Sequence, residues 1–295
     1  MPDNQPRSTT IAAEAALALS DHAILGLEGP DAVAFAQAQF ASDVVALPTG
    51  HWQWSAWLTP KGRTIAVFAL LRAADDALLL VMPDADAGTL GDQLRRFVFR
   101  RKVVLRTRSD LGAYGRFAAP FIASGAVLGR DGTVLELDYG AESLPRTVLI
   151  CDTALATAAV DDAQALERWR ASDLECGLPR LVESQRELWT PQQIALDRLA
   201  AFSVRKGCYP GQEIVARTHF LGKAKRELLR LHVPDATEAG ADVIQDGRTI
   251  GTVVSVAGHA PRHALAVLPL ERGELPLLVD GTGSAVLPIL DGLAR

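Results

Sequence analysis

Residues 205–217 read RKGCYPGQEIVAR and place a cysteine, Cys208, between two glycines. Arg205, Lys206 and Arg217 flank it, and Gln212 and Glu213 follow with an amide and a carboxylate. Gly207 and Gly211 admit backbone conformations closed to other residues, and Pro210 stiffens the turn between them. The segment therefore predicts a loop that holds Cys208 in a fixed, close-approach position. Nearby positive charge stabilises a thiolate, and a thiolate is both a nucleophile and a soft metal ligand. The residues alone leave a second reading open, a buried structural cysteine in a glycine-rich turn, because free cysteine is commonly buried. Cys151 and Cys176 lie far away in sequence, the total of three is odd, and no CxxC pair occurs. Neither a disulfide framework nor a zinc-ribbon spacing is available, so a reducing, cytoplasmic compartment is expected. The six histidines show no metal-ligand spacing, and no metal site is expected.

Charge sets a second constraint. The net charge of −5 argues against a protein that coats nucleic acid. Its distribution is uneven. Residues 95–108, RRFVFRRKVVLRTR, hold seven Arg or Lys and no acid, and residues 205–226 hold Arg205, Lys206, Arg217, Lys223, Lys225 and Arg226 against Glu213 alone. Such runs are read either as solvated faces or as an electropositive surface for an anionic ligand or partner. No apolar run reaches the roughly 18 residues that span a bilayer, so no membrane partner is expected. The stretch 11–20, IAAEAALALS, has the apolarity of a signal segment but contains Glu14 and lacks a basic start.

The elements that must position Cys208 follow from pattern. With 295 residues, about two domains or three small ones are expected. Residues 24–45 read as a strand, a Gly29-Pro30 turn and a helix with Pro30 at its first position. Residues 52–71 read as a hairpin around Thr59-Pro60-Lys61-Gly62, and 77–82 as a further strand. Residues 89–101 read as a helix and 102–108 as extended, with short strands between 113 and 150 and a helix over 161–170. Thr190 is a candidate N-cap for a helix with Ile194 and Leu199 inward. From about residue 228 the pattern is all strand, with Asp246-Gly247 as a tight turn, and predicts a small antiparallel barrel. Trp52 and Trp54 share a strand face. They are read as an aromatic shelf for a flat ligand or, the commoner use, as core or inter-lobe packing.

The eight residues Lys206-Gly207-Cys208-Tyr209-Pro210-Gly211-Gln212-Glu213 resemble the K-G-C-Y-x-G-Q-E signature of the YgfZ family. These proteins are relatives of the glycine-cleavage T-protein, an aminomethyltransferase, and of a mitochondrial factor for late iron–sulfur assembly. Leu58 to Arg63 resembles the family's P-K-G-R turn, Gln39 to Val44 its Q-x-x-x-D-V helix end, and Glu175 to Pro179 its E-x-G-x-P stretch. Pro191 to Asp197 and Arg217 to Gly222 with Lys225-Arg226 also resemble family segments, so the likeness runs from about residue 20 to 270.

The resemblance implies an α+β, GcvT-like arrangement of three lobes around a central opening. Residues 1–225 would form two α+β lobes, one of them discontinuous, and 226–295 a C-terminal antiparallel β-barrel. It implies a folate-binding accessory protein, with tetrahydrofolate or a derivative as cofactor, that supports assembly or repair of iron–sulfur enzymes, including tRNA-modifying ones. Its partners would be iron–sulfur proteins or cluster-assembly factors, with a tRNA contact through the basic stretches. Cys208, Lys206 and Glu213 would carry the chemistry. Asp43, Lys61, Arg63, Asp197, Tyr209, Gln212 and Arg226 would hold the cofactor. Asp197 stands in a different spacing from the T-protein's P-x-E-x-x-L glutamate. The alternatives are an aminomethyltransferase-like one-carbon enzyme, a tRNA-binding module, and a cysteine hydrolase with His219 as base. The thiol favours the accessory role, because aminomethyl transfer does not need one.

Overall fold

The computed structural model describes residues 16–156, 159–220, 222 and 225–295. The first part of the 11–20 run, Leu221 and Lys223 therefore lie outside the described residues. The strands and helices run β1 (Leu17–Ala18), β2 (His22–Glu28), α1 (Ala32–Gln39), β3 (His51–Leu58), β4 (Thr64–Ala74), β5 (Ala77–Pro83), α2 (Ala87–Arg95), β6 (Val104–Thr107) and β7 (Leu111–Arg116). They continue with β8 (Gly129–Asp131), β9 (Val134–Asp138), β10 (Thr147–Asp152), α3 (Ala163–Glu175), α4 (Gln212–Phe220) and β11 (Arg226–Val233). The last strands are β12 (Asp242–Gln245), β13 (Arg248–Ala257), β14 (Arg262–Pro269), β15 (Leu277–Val279), β16 (Thr282–Ser284) and β17 (Val286–Leu287).

Three antiparallel sheets result. One has the order β3-β4-β5-β2-β6, a second β1-β7-β10-β9-β8, and a third β16-β15-β12-β13-β14-β11-β17. The second sheet is drawn from both sides of the first in sequence, so its lobe is discontinuous. The third curls nearly into a barrel, since β16 and β17 bracket Ala285, whose carbonyl accepts from His232 N of β11. The fold is α+β, as the family resemblance implies. The last residues leave the barrel: Leu290 N donates to Glu175 O, and Trp54 Nε1 donates to Leu293 O.

Alternation explains the packing of the first sheet. Phe68, Leu70, Leu78 and Leu80 face α1 and α2 in one core. Trp52, Trp54, Ala69 and Leu71 face the other way, into a central core shared with the second sheet, α3 and barrel residues such as Leu265 and Val267. Trp52 and Trp54 are fully buried there beside Tyr139 and Trp169. The tryptophans are thus inter-lobe packing. Four local expectations are corrected. Pro30 precedes the N-cap Asp31 of α1 and is not its first residue. Helix α2 stops at Arg95, and the following residues are turns, with Phe99 at φ 46°. Residues 191–200 are turns, because Ala195 and Ala200 adopt positive φ and interrupt any helix. Residues 212–217, read as part of the cysteine loop, belong to helix α4.

A buried ion network joins the lobes. Arg180 donates to Asp84 from Nε and Nη2, to Asp173 Oδ2 from Nη1 at 2.7 Å, and to Asp21 Oδ2 from Nη2 at 2.5 Å. Arg146, wholly buried, donates to the other oxygen of Asp173 at 2.6 Å. Burial opposes the charge on Asp21, but the hydrogen bond from His22 and the charge of Arg180 outweigh it and hold that carboxyl well below the usual carboxylate range. The stabilisation is therefore complete above the unfolded value of about 4 and is lost as the pH falls below it. The expected outcome is a urea midpoint that drops steeply between about pH 5 and 2. Asp21→Asn should start lower at neutral pH and drop less over that range. Parallel curves for the two proteins would remove Asp21 from the acid transition.

Candidate functional site

Cys208 lies in a loop whose neighbours are fastened on every side. The Lys206 ammonium donates to three backbone carbonyls, Gln37 O and Phe40 O at 2.6 Å each and Ser42 O at 2.8 Å. These belong to the end of α1 and the residues just beyond, where carbonyls lack helical partners and the helix dipole favours a cation. An ammonium has three donors and all three are engaged. Lys206 is thereby a C-terminal clamp on α1. Burial pulls its pKa down to about 8, against the charge of Asp43, which holds it up. Asp43 Oδ1 accepts from Gln37 Nε2 at 3.1 Å and Ala46 N at 3.3 Å, so its carboxylate belongs to the same knot.

The loop is closed by its own side chains. Gln212 Nε2 donates to Lys206 O at 2.9 Å, and the Tyr209 hydroxyl donates to Ser203 O at 3.1 Å. The Lys206 ammonium sits 5.0 Å from the centre of the Tyr209 ring. Tyr209 is buried, and burial pushes its hydroxyl up to about 12. Gly211 has φ 80° and lies against the turn of the β3–β4 hairpin; a Cβ there would stand 2.6 Å from Gly62 Cα and 2.7 Å from Thr59 O. Only glycine fits that contact. Gly207, by contrast, has open space around it and no positive φ, so the conformation closed to other residues, expected at both glycines, occurs at Gly211 alone.

This contact brings the P-K-G-R turn to the cysteine loop. Lys61 is exposed on that turn. Arg63 reaches the other way and donates to Leu188 O at 2.8 Å and Gln193 Oε1 at 3.3 Å, fixing the 188–193 coil. Gln192 on that coil donates to Val215 O of α4 at 2.9 Å. Glu213 is exposed in the first turn of α4, and Asp197 is exposed on the same coil as Gln192. Arg226 stands in the barrel, where it donates to Ile250 O at 2.9 Å. His219 lies about 10 Å along α4 from Gln212 at ~1.5 Å per residue. Its ring packs edge-on to Phe220. Thr59, Pro60 and Pro210 bound a recess of about 270 Å³ with Trp57 and Phe97.

The sequence reading missed Arg180 and its aspartates. The E-x-G-x-P stretch was visible, but its importance lies in the arginine that follows it. Amid these fastenings Cys208 is exposed, whereas Cys151 and Cys176 are buried. Burial pushes both of those thiols up.

Comparison with known proteins gives first a class and then nearer relatives. The fold is that of the glycine-cleavage aminomethyltransferase: the Bartonella henselae enzyme superposes with a TM-score of 0.72 over 94% of this chain and 86% of its own, at 17% identity. No protein-family model matches the chain. In sequence it is 28% identical to the tRNA-modifying protein YgfZ of Serratia proteamaculans, over 87% of this chain and 84% of that one. It is 28% identical to the YgfZ of Klebsiella pneumoniae, over 93% and 87%. The chain is aminomethyltransferase-like in fold and YgfZ-like in sequence.

Two outcomes test the site. Brief iodoacetamide treatment of the native protein should label Cys208 first by mass spectrometry, and equal labelling of all three cysteines would contradict the arrangement. Lys206→Met keeps the stem but leaves three carbonyls without their charged donor. It should cost about 2–3 kcal/mol in urea unfolding.

Proposed function

We propose that the protein is a folate-binding accessory factor that supports the assembly or repair of iron–sulfur enzymes, tRNA-modifying ones among them, through the thiol of Cys208. One observation carries this reading. Lys206, Tyr209 and Gln212 are each tied to backbone carbonyls, while Cys208 stands exposed on the frame they make. A fold that fixes a loop so firmly and leaves its sulfur free presents a thiol to something outside. The name of the YgfZ relatives supports a link to tRNA modification.

The thiol is a soft ligand or nucleophile. A single sulfur cannot complete the coordination of a cluster, which takes about four protein ligands. Among the described residues no group of three or more His, Cys, Asp or Glu stands together as a metal site. An iron–sulfur cluster would thus be cargo or a client's group, shared with a partner. Folate suits the unpartnered acceptors. Gln39 Oε1 and Gln192 Oε1 are buried acceptors without donors, and a pterin brings amine and ring N–H donors. Lys61 is an exposed cation of the kind that meets a glutamate tail. Bound folate would supply a one-carbon carrier; the chain's own groups bind and orient it.

Cys208→Ala and Cys208→Ser test the reading. Both should fold, with stability changed by about 1 kcal/mol or less. Both should bind tetrahydrofolate by calorimetry as the parent does, and neither should restore iron–sulfur enzyme activities to a deletion strain. Full restoration by both variants would show that the sulfur is not the working group. No binding of any tetrahydrofolate form would sink the folate half.

A further inference from the structure

Beyond α2 the chain exposes a surface that the cysteine loop does not account for. Arg96, Arg100, Arg101, Lys102 and Arg106 are all exposed, and among the described residues none of them makes an ion pair with an acid. Between them Phe99 is 86% exposed, held outward by a backbone at φ 46°, a conformation costly for a bulky residue. Phe97 is 40% exposed and packs edge-on to Trp57 at 6.3 Å. The turns that carry these rings are fixed by Phe97 N to Leu94 O, Val98 N to Arg95 O and Arg101 N to Val98 O.

The strip leads to the cysteine loop. Phe97 and Arg96 line the 270 Å³ recess whose other walls include Trp57, Pro60 and Pro210. Gln93 and Glu187 add polar edges. Trp57 is 4% exposed, and its indole N–H finds no acceptor. Cations alone would be explained as protection of the edge strand β6 against pairing with another sheet. That explanation fails for Phe99, because an edge is not protected by exposing an aromatic ring.

Unpaired cations interleaved with exposed aromatic rings, beside a recess with apolar walls and polar edges, are the features that hold unstacked bases and their phosphates. We propose that residues 96–102 and the recess beside Pro210 form a platform for single-stranded RNA. Phe99 stacks on one base, the recess takes another, and Arg96, Arg100, Arg101 and Lys102 meet phosphates. The strand is thereby led to the loop that bears Cys208. The proposal extends the accessory-factor reading by naming a partner, and it relies on that reading only for the use to which the contact is put.

The test is fluorescence anisotropy with a labelled single-stranded RNA of about twelve nucleotides, within the usual range of site sizes. Affinity should fall with salt. Phe99→Ala should weaken binding about five- to a hundred-fold with the salt slope unchanged. Arg100→Ala with Arg101→Ala should flatten the log–log slope by about 1.4, at about 0.7 per cation for a single strand. Circular dichroism and melting temperature verify that the variants fold. Absence of binding at low salt would overturn the proposal. So would equal affinity for heparin with no effect of Phe99→Ala, which would mark a plain polyanion patch. Tetrahydrofolate calorimetry and the Cys208 complementation are read separately. If they hold while RNA binding fails, only this inference falls; if they fail while RNA binding stands, the accessory role falls instead.

Discussion

The arrangement of the lobes depends on Arg180. Its guanidinium reaches Asp21 before the first sheet's leading strand, Asp84 after β5 and Asp173 in α3, while its backbone exchanges hydrogen bonds with Ser255 of the barrel. Charges buried this deeply are tolerated only when paired and hydrogen-bonded throughout. Here Arg146, Arg170 and Arg180 meet Asp21, Asp84 and Asp173, and Glu167 is a further partner of Arg170, so every buried guanidinium has a carboxylate. A hydrophobic contact between lobes tolerates sliding. A planar fork bonded to three carboxylates from separate elements does not. The network thus sets the orientation of the lobes, and the central core of Trp54, Tyr139 and Trp169 packs within that geometry.

The cysteine loop depends on that orientation. It draws on α1, the β3–β4 turn, the 188–203 coil and α4, none of which is its neighbour in sequence except the last two. The contacts are short and unforgiving: three carbonyls on one ammonium, and Gly211 pressed on Gly62. A small rotation of the first sheet would break both. The tail adds a second brace, since Arg295 donates to Asp138 O and Gly140 O and Trp54 donates to Leu293 O.

Much of this was legible in the sequence, and what was not has physical causes. The β3–β4 hairpin, the barrel strands and the shared face of Trp52 and Trp54 follow from period-two patterning and turn residues, which are local. The cysteine loop was visible as a motif. Its architecture was not, because Lys206 acts on carbonyls more than 160 residues away. The 191–200 segment has an N-cap signal, and Thr190 Oγ1 does accept from Gln193 N at 3.3 Å. No helix follows, because tertiary contacts of Gln192 and Gln193 and the positive φ of Ala195 prevail over propensity. Helix α4 was hidden by the glycine–proline punctuation just before it. Arg180 looked like one basic residue among 30, and nothing local marks a residue whose partners come from three distant elements.

The two kinds of charge in this chain are separated by what they do. Arg146, Arg180 and Lys206 are buried and bound to groups of the chain itself, so their charge is not offered to a ligand. The cations at 96–106 are exposed and bound to no acid among the described residues, in a protein whose net charge is −5. An acidic protein that leaves its basic residues unpaired on one side, rather than scattering them among its acids, keeps a local field that net charge conceals. The field lies beside the recess of Pro210, two residues along the chain from the exposed Cys208. The proposed binding along that strip and the proposed use of the Cys208 thiol require no movement of the lobes that Arg180 holds, because both stand on one fixed frame.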